Sequence, residues 1–340
     1  MRKLSIFLLG ASLTFAVGVF SPIGKTQQIT ASAEGKVVYV GGMSAGFTLK
    51  TGGAQIIGNC DVMTENGIKA PAAKAGLRVG DLIVKAGGIK VDSLGQLNEI
   101  VDKNGEKALH LEVLRGEESF TVTLNPVKDK VTDRYKIGVL VRDNVSGIGT
   151  ITYIDKEKRC FGALGHAVLG ENNREMQIYD GMVYECSIVG VAKGVRGKAG
   201  ELRGMFLSDK KLGNAEKLCS CGIFGRLDGE FNTKGLQYVV ASSEYVHPGE
   251  AYIYSTINGV SPKKYEIEIV KVDKRKGENK NYVIKVVDEE LIAETGGIVQ
   301  GMSGSPILQD DKMVGAVTHV FLNDPTRGYG IDIQTMLEEY

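Results

Sequence analysis

Residues 71–83 of the chain read Pro-Ala-Ala-Lys-Ala-Gly-Leu-Arg-Val-Gly-Asp-Leu-Ile. Pro71 favours the first turn of a helix and Gly76 favours the position just past its end, so the segment begins with a short helix. Gly80 then marks a tight turn, because glycine adopts positive φ without steric cost. The segment therefore predicts a helix, a turn and a strand in immediate succession.

The sequence on either side of this segment predicts the rest of a small α+β domain. A second helix is predicted over residues 93–103, because apolar residues recur there at helical spacing and a serine can cap the first turn. Residues 109–114 and 120–124 alternate between apolar and polar with a period of two, which is typical of half-buried strands. Together with the strand-like residues 37–40, these elements define a first domain over residues 36–126.

The ungapped pattern Pro-Ala-x-x-Ala-Gly-Leu-x-x-Gly-Asp-x-Ile resembles PDZ domains. The resemblance implies a groove that binds an extended peptide between a sheet edge and the second helix, with loop amides holding the peptide carboxylate. We expect that loop at Ser44, Ala45, Gly46 and Phe47, and the edge strand at residues 47–50. The alternative is a PDZ domain that serves only as a spacer, since a fold alone does not establish a binding site.

The rest of the chain predicts a charged connection and a strand-rich second domain. Residues 127–134 carry five charged side chains in eight positions and are interpreted as a linker. Residues 135–340 contain a long series of short strands separated by Gly, Asn, Asp and Pro, which is typical of a sandwich or barrel. The chain is therefore expected to be mainly β, with the α+β domain preceding the larger all-β domain.

Charge and the N-terminal sequence limit the function further. The 340 residues contain 41 Lys plus Arg and 41 Asp plus Glu, with the basic residues scattered, so no nucleic-acid partner is expected. Arg2 and Lys3 precede an uncharged stretch over residues 4–20, and a small-x-small signature follows at residues 31–33. Residues 1–33 are therefore interpreted as a signal peptide or a retained N-terminal membrane anchor, and the protein as exported.

Five cysteines are too few and too scattered for a disulfide framework. The Cys219-Ser220-Cys221 pair could be half of a metal site, but no second pair or neighbouring histidine in the sequence completes four ligands. The sequence therefore predicts free thiols and no metal site.

Two segments of the second domain point to acyl-transfer chemistry. Residues 301–307 read Gly-Met-Ser-Gly-Ser-Pro-Ile, where glycines allow the backbone amides around Ser303 to approach a substrate oxygen closely. His166 lies among small residues in Gly-Ala-Leu-Gly-His-Ala-Val, and imidazole suits proton transfer at neutral pH. These segments predict a nucleophile and a general base in the chain order histidine, then serine.

Together these segments resemble chymotrypsin-like serine peptidases, which implies a double β-barrel fold. The resemblance places the nucleophile on Ser303, the base on His166, and the oxyanion donors on the amides of Gly301 and Ser303. We expect residues 316–320 to return beside the nucleophile, which puts Thr318 and His319 in the substrate wall. The resemblance requires no metal and no organic cofactor.

Residues 295–306, 314–326 and 328–330 closely resemble the stage IV sporulation protein B peptidases of spore-forming bacteria. The resemblance implies export from the forespore into the space between its two membranes. It also implies that the protein cleaves itself and a membrane-bound regulator of an intramembrane protease. We expect the PDZ groove to bind the protein's own N-terminal segment or the tail of a partner. The alternative function is an exported PDZ scaffold whose peptidase-like domain is inactive.

The family resemblance implies that the third member of the triad is Asp288, fifteen residues before the serine. Fifteen residues are ample for the chain to turn back towards the nucleophile. Asp155 and Asp324 are the competing acids, although both also fit solvated turns.

Overall fold

The computed structural model describes residues 35–168, 180–228, 236–275 and 279–340. The segment interpreted as a signal peptide or anchor, residues 1–33, lies outside this part of the chain. Among the described residues, no helix is both long enough and apolar enough to span a membrane.

The described strands and helices follow one another in this order: β1 (Val37–Val40), β2 (Ser44–Asn59), β3 (Val62–Thr64), β4 (Gly67–Lys69), α1 (Pro71–Lys74), β5 (Leu82–Ala86), β6 (Ile89–Lys90), α2 (Leu94–Asn104), β7 (Leu109–Arg115), β8 (Glu118–Leu124), β9 (Val127–Lys128), β10 (Tyr135–Lys136), β11 (Val139–Asp155), β12 (Cys160–Ala163), β13 (Asp180–Ala192), β14 (Glu201–Cys219), β15 (Gly222–Leu227), β16 (Gln237–Val240), β17 (Gly249–Ser255), β18 (Lys263–Val272), β19 (Tyr282–Val286), α3 (Glu289–Thr295), β20 (Pro306–Gln309), β21 (Lys312–Phe321), β22 (Asp324–Asp332) and α4 (Ile333–Leu337).

Six antiparallel strands close a first β-barrel. Following the pairs around the ring, β2 joins β11, then β12, β15, β14 and β13, which pairs with β2 again. Closure removes free strand edges, and alternate side chains along each strand point into the barrel. The buried apolar interior includes Phe47, Leu49, Ile151, Phe161 and Ile223.

A second barrel closes in the same way. Its ring runs from β17 to β18, β19, β22, β21 and β20, and β20 pairs with β17 again. Its interior includes the buried side chains of Ile253, Ile267, Ile284, Ile307 and Val317. The mainly β double-barrel fold predicted for the larger domain is therefore confirmed.

Two short strands connect the barrels. Strand β1 pairs with β11 of the first barrel and with β16, and β16 pairs in parallel with β21 of the second. A third apolar cluster lies with them and includes Val38, Val40, Phe224, Leu308 and Met336. The barrels therefore share a buried interface.

The predicted PDZ domain is also confirmed. Strands β5, β7 and β8 form its sheet, and Leu77, Ile83, Leu97 and Leu111 form its core with α1 and α2. The Ser93 hydroxyl accepts a hydrogen bond from the amide of Gln96 at 3.2 Å, so the predicted cap of α2 is present.

The predicted boundaries of this domain, residues 36–126, are wrong at the N-terminal side. Strand β1 and the first half of β2 belong to the barrels, and only Ala54 and Gln55 of β2 pair with β5 of the PDZ sheet. The PDZ domain is therefore inserted into the first barrel between β2 and β11. One sixteen-residue strand serves both domains, and side-chain alternation along a strand does not reveal which partner each half pairs with.

Residues 127–134 are not an extended linker. Strand β9 pairs with β10, and the carboxylate of Asp129 accepts hydrogen bonds from the amide and hydroxyl of Thr132. These bonds lower the pKa of Asp129 to about 2. The amide of Lys130 donates to the carbonyl of Met63, so this charged stretch is a hairpin that is hydrogen-bonded to the PDZ domain.

Candidate active site

The nucleophile turn connects α3 to β20 and docks onto both barrels. Its Gly304 amide donates to the carbonyl of Val317 at 2.8 Å, and the amide of Thr150 donates to the carbonyl of Ser303 at 3.0 Å. Gly304 has φ of +95°, and a Cβ there would lie 2.2 Å from the carbonyl oxygen of Thr150. Glycine is required at this position for both reasons.

The turn leaves two amides without a backbone acceptor in the described part of the chain. The amides of Met302 and Ser305 donate to carbonyls within the turn, and the amide of Gly304 donates to Val317 of β21. The amides of Gly301 and Ser303, the predicted oxyanion donors, make no such bond among the described residues. Both are therefore available to a developing oxyanion.

His166 follows β12 at the rim of the first barrel. Its Nδ1 lies 2.7 Å from the carbonyl oxygen of Ala167, so Nδ1 carries the proton and donates to that oxygen. Nε2 is then the ring atom that can accept a proton. Burial lowers the pKa of His166, which keeps the ring neutral near pH 7.

A second imidazole lies against the first. The ring centroids of His166 and His319 are 4.9 Å apart, and His319 extends from β21. Burial first, and then the neighbouring His166 and Lys280, lower the pKa of His319 to about 4. Its Nδ1 is buried and has no hydrogen-bond partner among the described residues.

One cavity of 480 Å³ brings the predicted residues together: His166, Gly301, Ser303, Thr318 and His319 all line it. His166 comes from the first barrel, whereas the others come from the second. The remaining walls are largely apolar and include Phe47, Leu49, Ile148, Ile298, Val299 and Leu322. The cavity is an apolar cleft between the barrels with a serine and two histidines in its wall.

The hydroxyl of Ser303 donates to the carbonyl oxygen of Thr318 at 2.8 Å. Sequence reasoning predicted Thr318 as a wall residue, but not as the acceptor of the nucleophile's proton. Because Nδ1 of His166 donates to the carbonyl of Ala167, Nε2 is the ring nitrogen that remains to accept a proton.

The structure does not bring Asp288 to the cleft that His166 and Ser303 line. This residue is the N-cap of α3, where Oδ1 accepts from the amide of Leu291 at 2.8 Å and Oδ2 accepts from the amide of Glu266 at 3.2 Å. The carboxylate thus holds a helix start, and Nδ1 of His166 is satisfied by a backbone carbonyl. An acid placed directly before a helix is strongly favoured as its cap, and this local signal accounts for the placement.

The competing acids also lie elsewhere. Asp155 forms an ion pair with Lys36 and accepts from the amide of Lys158, and Asp324 accepts from the amide and hydroxyl of Thr326. No carboxylate lines the cavity among the described residues. In the described structure, the carbonyl of Ala167 is what orients the ring of His166.

The predicted carboxylate loop of the PDZ domain, Ser44, Ala45, Gly46 and Phe47, is instead the start of strand β2. These residues pair with β11 and β13, and the Ser44 hydroxyl donates to the carbonyl of Thr256. Phe47 lines the active-site cleft. The prediction failed because the residues precede the PDZ domain in sequence but belong to the first barrel in space.

A separate cavity of 540 Å³ lies between α2 and the first residues of β11. Leu94, Leu97 and Val101 of α2 line one side, and Val139 and Leu140 of β11 line the other. Sequence reasoning missed this groove, and the signal that could have indicated it is the apolar run at residues 137–141, directly after the hairpin. This is where the described PDZ domain has a groove beside its second helix.

Protein-family models and solved structures both include matches to this chain. The SpoIVB peptidase S55 family model matches residues 133–337, and a PDZ domain model matches residues 66–115. Among solved structures, the chain is similar to the PDZ domain of the SdrC-like protein of Listeria monocytogenes, at 15% identity over 26% of this chain and 87% of that chain, with a TM-score of 0.22. It is also similar to an inactive mutant form of Rv3671c from M. tuberculosis, at 12% identity over 56% of this chain and 80% of that chain, with a TM-score of 0.32. Since the peptidase model covers more than half of the chain, this protein is a serine endopeptidase that belongs to the SpoIVB peptidase S55 family.

Proposed function

We propose that this serine endopeptidase acts in signalling during sporulation, by cleaving itself and a membrane-bound regulator of an intramembrane protease. The observation that carries the catalytic part is that His166 and Ser303, from different barrels, line one cleft. Signalling is the role that family membership supports.

The proposed reaction is acyl transfer through Ser303. Its Oγ leaves the carbonyl of Thr318, passes its proton to Nε2 of His166 and attacks the peptide carbonyl carbon. The amides of Gly301 and Ser303 stabilise the oxyanion, the imidazolium gives its proton to the leaving amine, and water releases the acyl group. The carbonyl of Ala167 keeps the proton on Nδ1, so Nε2 is the ring atom that accepts the serine proton and then gives it to the leaving amine.

The position of the PDZ domain supports cleavage of selected partners rather than general digestion. Strands β2 and β11 run from the PDZ domain into the first barrel, and Phe47 of β2 and Val145 of β11 line the active-site cleft. A segment held by the PDZ domain would be presented near that cleft at a high effective concentration. The partners that we propose are the protein's own N-terminal segment and the membrane-bound regulator.

An active-site-directed fluorophosphonate tests the catalytic assignment. The parent chain should be labelled on Ser303, and Ser303→Ala should not react. Ser305→Ala is the matched control: it removes a serine two positions away, whose hydroxyl donates to Ser255 at 3.0 Å. If the folded parent never reacts, the inactive-scaffold alternative is favoured.

Self-cleavage is tested by incubating the purified chain and sequencing the N-termini of the fragments. Cuts within the first 35 residues that are absent from Ser303→Ala would support the proposed N-terminal target. Fragments that form equally in both proteins would exclude self-cleavage.

The sporulation role is tested by complementation in a spore former that lacks its own member of the family. The parent gene should restore heat-resistant spores, and Ser303→Ala should not. We propose that the protein is exported into the space between the forespore membranes, so a fusion to a periplasm-active reporter should be active there. Full restoration by Ser303→Ala would remove proteolysis from this role.

A further inference from the structure

Cys219 and Cys221 lie on the two sides of the tight turn between β14 and β15. Cys219 is the last residue of β14 and pairs with Gly222, the first residue of β15. The two Sγ atoms are 3.0 Å apart. A disulfide has an S–S distance of about 2.05 Å, so a movement of about 1 Å would join them.

The two sulfurs have different environments. Cys219 is partly exposed, whereas Cys221 is buried with 3% exposure. The hydrogen bond with Cys221 lowers the pKa of Cys219, so Cys219 is the thiol of the pair that ionises more readily. The same hydrogen bond, followed by burial, raises the pKa of Cys221.

Charged side chains of both signs lie beside the turn. Lys217 lies two residues before Cys219 and pairs with the carboxylate of Glu339 at 2.8 Å. The charge of Glu339 raises the pKa of Cys219 and that of Lys217 lowers it by less, so the contact with Cys221 is what favours the thiolate of Cys219. Reactive thiols are found in such partly exposed sites with a basic neighbour.

The other cysteines of the described structure do not form such a pair. Burial raises the pKa of Cys160, and it raises the pKa of Cys186 to about 11. Cys60 lies in the PDZ half of the chain, away from the other four in sequence. Among the described residues, Cys219 and Cys221 are the cysteines whose sulfurs are in contact.

We propose that Cys219 and Cys221 are a redox-active dithiol pair that closes to an intrachain disulfide on reaction with a small-molecule disulfide. The thiolate of Cys219 attacks one sulfur of the oxidant RSSR, which breaks the R–S–S–R bond and releases RS⁻. Cys221 gives its proton to RS⁻, and its sulfur then attacks Cys219 and releases a second RS⁻. The two cysteines lose two electrons, and RSSR gains them as one RSH and one RS⁻.

The experiment counts thiols in the full chain after equilibration in mixtures of reduced and oxidised glutathione. Each sample is quenched in acid, denatured, alkylated and measured by intact mass and peptide mapping. The chain has five cysteines, so the reduced form should carry five alkyl groups. The oxidised form should carry three, with Cys219 and Cys221 linked in one peptide.

Two variants test whether the oxidation depends on Cys219. Cys219→Ser should lose this two-thiol step, whereas the matched control Cys60→Ser should keep it, because Cys60 is a partly buried free thiol in another domain. The peptide map of the parent decides the matter even if a variant does not fold.

Several results would overturn the proposal. They are five alkylated cysteines across the whole range of redox mixtures, a linked pair elsewhere in the chain, or a stable glutathione adduct on Cys219. Zinc binding by the same residues would also overturn the proposal. In that case the reduced chain would bind one equivalent of zinc, the zinc would protect both cysteines from oxidation, and Glu339→Gln would no longer bind it. The donor atoms of Cys219, Cys221 and Glu339 lie within 4.8 Å of one another. Zinc binding is therefore measured separately, by adding zinc alone to the reduced chain.

Discussion

The rings of His166 and His319 lie 4.9 Å apart, and both line the cleft that contains Ser303. Only His166 has its Nδ1 held by a backbone carbonyl, whereas the Nδ1 of His319 is buried without a partner among the described residues. The backbone contact orients the ring of His166 and not that of His319, so we expect His166 to be the base.

We expect His166→Ala to lower the rate of fluorophosphonate labelling by roughly 10²–10⁴-fold, which is the range for loss of a general base. His319→Ala should lower it by less than about tenfold, because His319 is a wall residue. Labelling rates of the two variants, measured beside the parent, check this. Loss of labelling in His319→Ala with full labelling in His166→Ala would reverse the assignment.

The histidines should also make stability depend on pH in one direction. The pKa of His319 is about 4 in the folded chain, against about 6.5 when unfolded, so the unfolded chain binds more protons between these values. The stabilisation from the neutral ring is complete above pH 6.5 and decreases as the pH falls towards 4. Urea unfolding at pH 7 and pH 5 should show this decrease, and His319→Gln should show a smaller one. An equal decrease in both proteins would assign the effect to other groups.

Asp288 should matter for stability and not for chemistry. Asp288→Ala removes the cap of α3 and should lower the free energy of unfolding by about 1 kcal/mol, whereas Asp288→Asn keeps a capping side chain and should cost less. Both folded variants should label within about tenfold of the parent rate, a difference in barrier of ~1.4 kcal/mol. A drop near 10⁴-fold in Asp288→Asn, as for loss of a triad acid, would instead restore Asp288 to the mechanism.

Gly304→Ala should disrupt the nucleophile turn. Its Cβ would meet the carbonyl of Thr150 at 2.2 Å and the amide nitrogen of Leu164 at 2.6 Å, in addition to the strain of positive φ. The matched control is Gly259→Ala, which has φ of +66° and no atom within 4 Å of the added Cβ, and should cost only the ~1–2 kcal/mol of left-handed strain. Chemical unfolding and labelling measure both variants, and we expect Gly304→Ala to be worse in each. Equal losses would show that the turn can shift without consequence.

The insertion of the PDZ domain predicts which deletion folds. Lys50 and Asn144 pair across β2 and β11, so replacing residues 51–143 by an Asn-Gly turn should leave a closed first barrel. Deleting residues 36–126 removes β1 and β2 and should leave a chain that does not fold cooperatively. Thermal unfolding followed by circular dichroism compares the two. Cooperative folding of the second and not of the first would contradict the assignment of β2 to the barrel.

The sequence by itself determined the two kinds of domain and the nucleophile turn. The segment at residues 71–83 predicted a PDZ domain, and the glycines around Ser303 predicted amides that approach a substrate, because proline and glycine restrict the backbone locally. The resemblance of the segments around His166 and Ser303 to chymotrypsin-like peptidases implied a double barrel.

Tertiary structure alone decided the rest. Residues 44–47 lie near the PDZ domain in sequence, yet pair with β11 and β13, because a strand's partners depend on chain closure and not on its own alternation. Asp288 carries a strong local capping preference, which places its carboxylate on the amides of Leu291 and Glu266. Similarly, only folding brings Glu339 to the pair Cys219 and Cys221, because contacts over 118 residues leave no periodic signal in the chain.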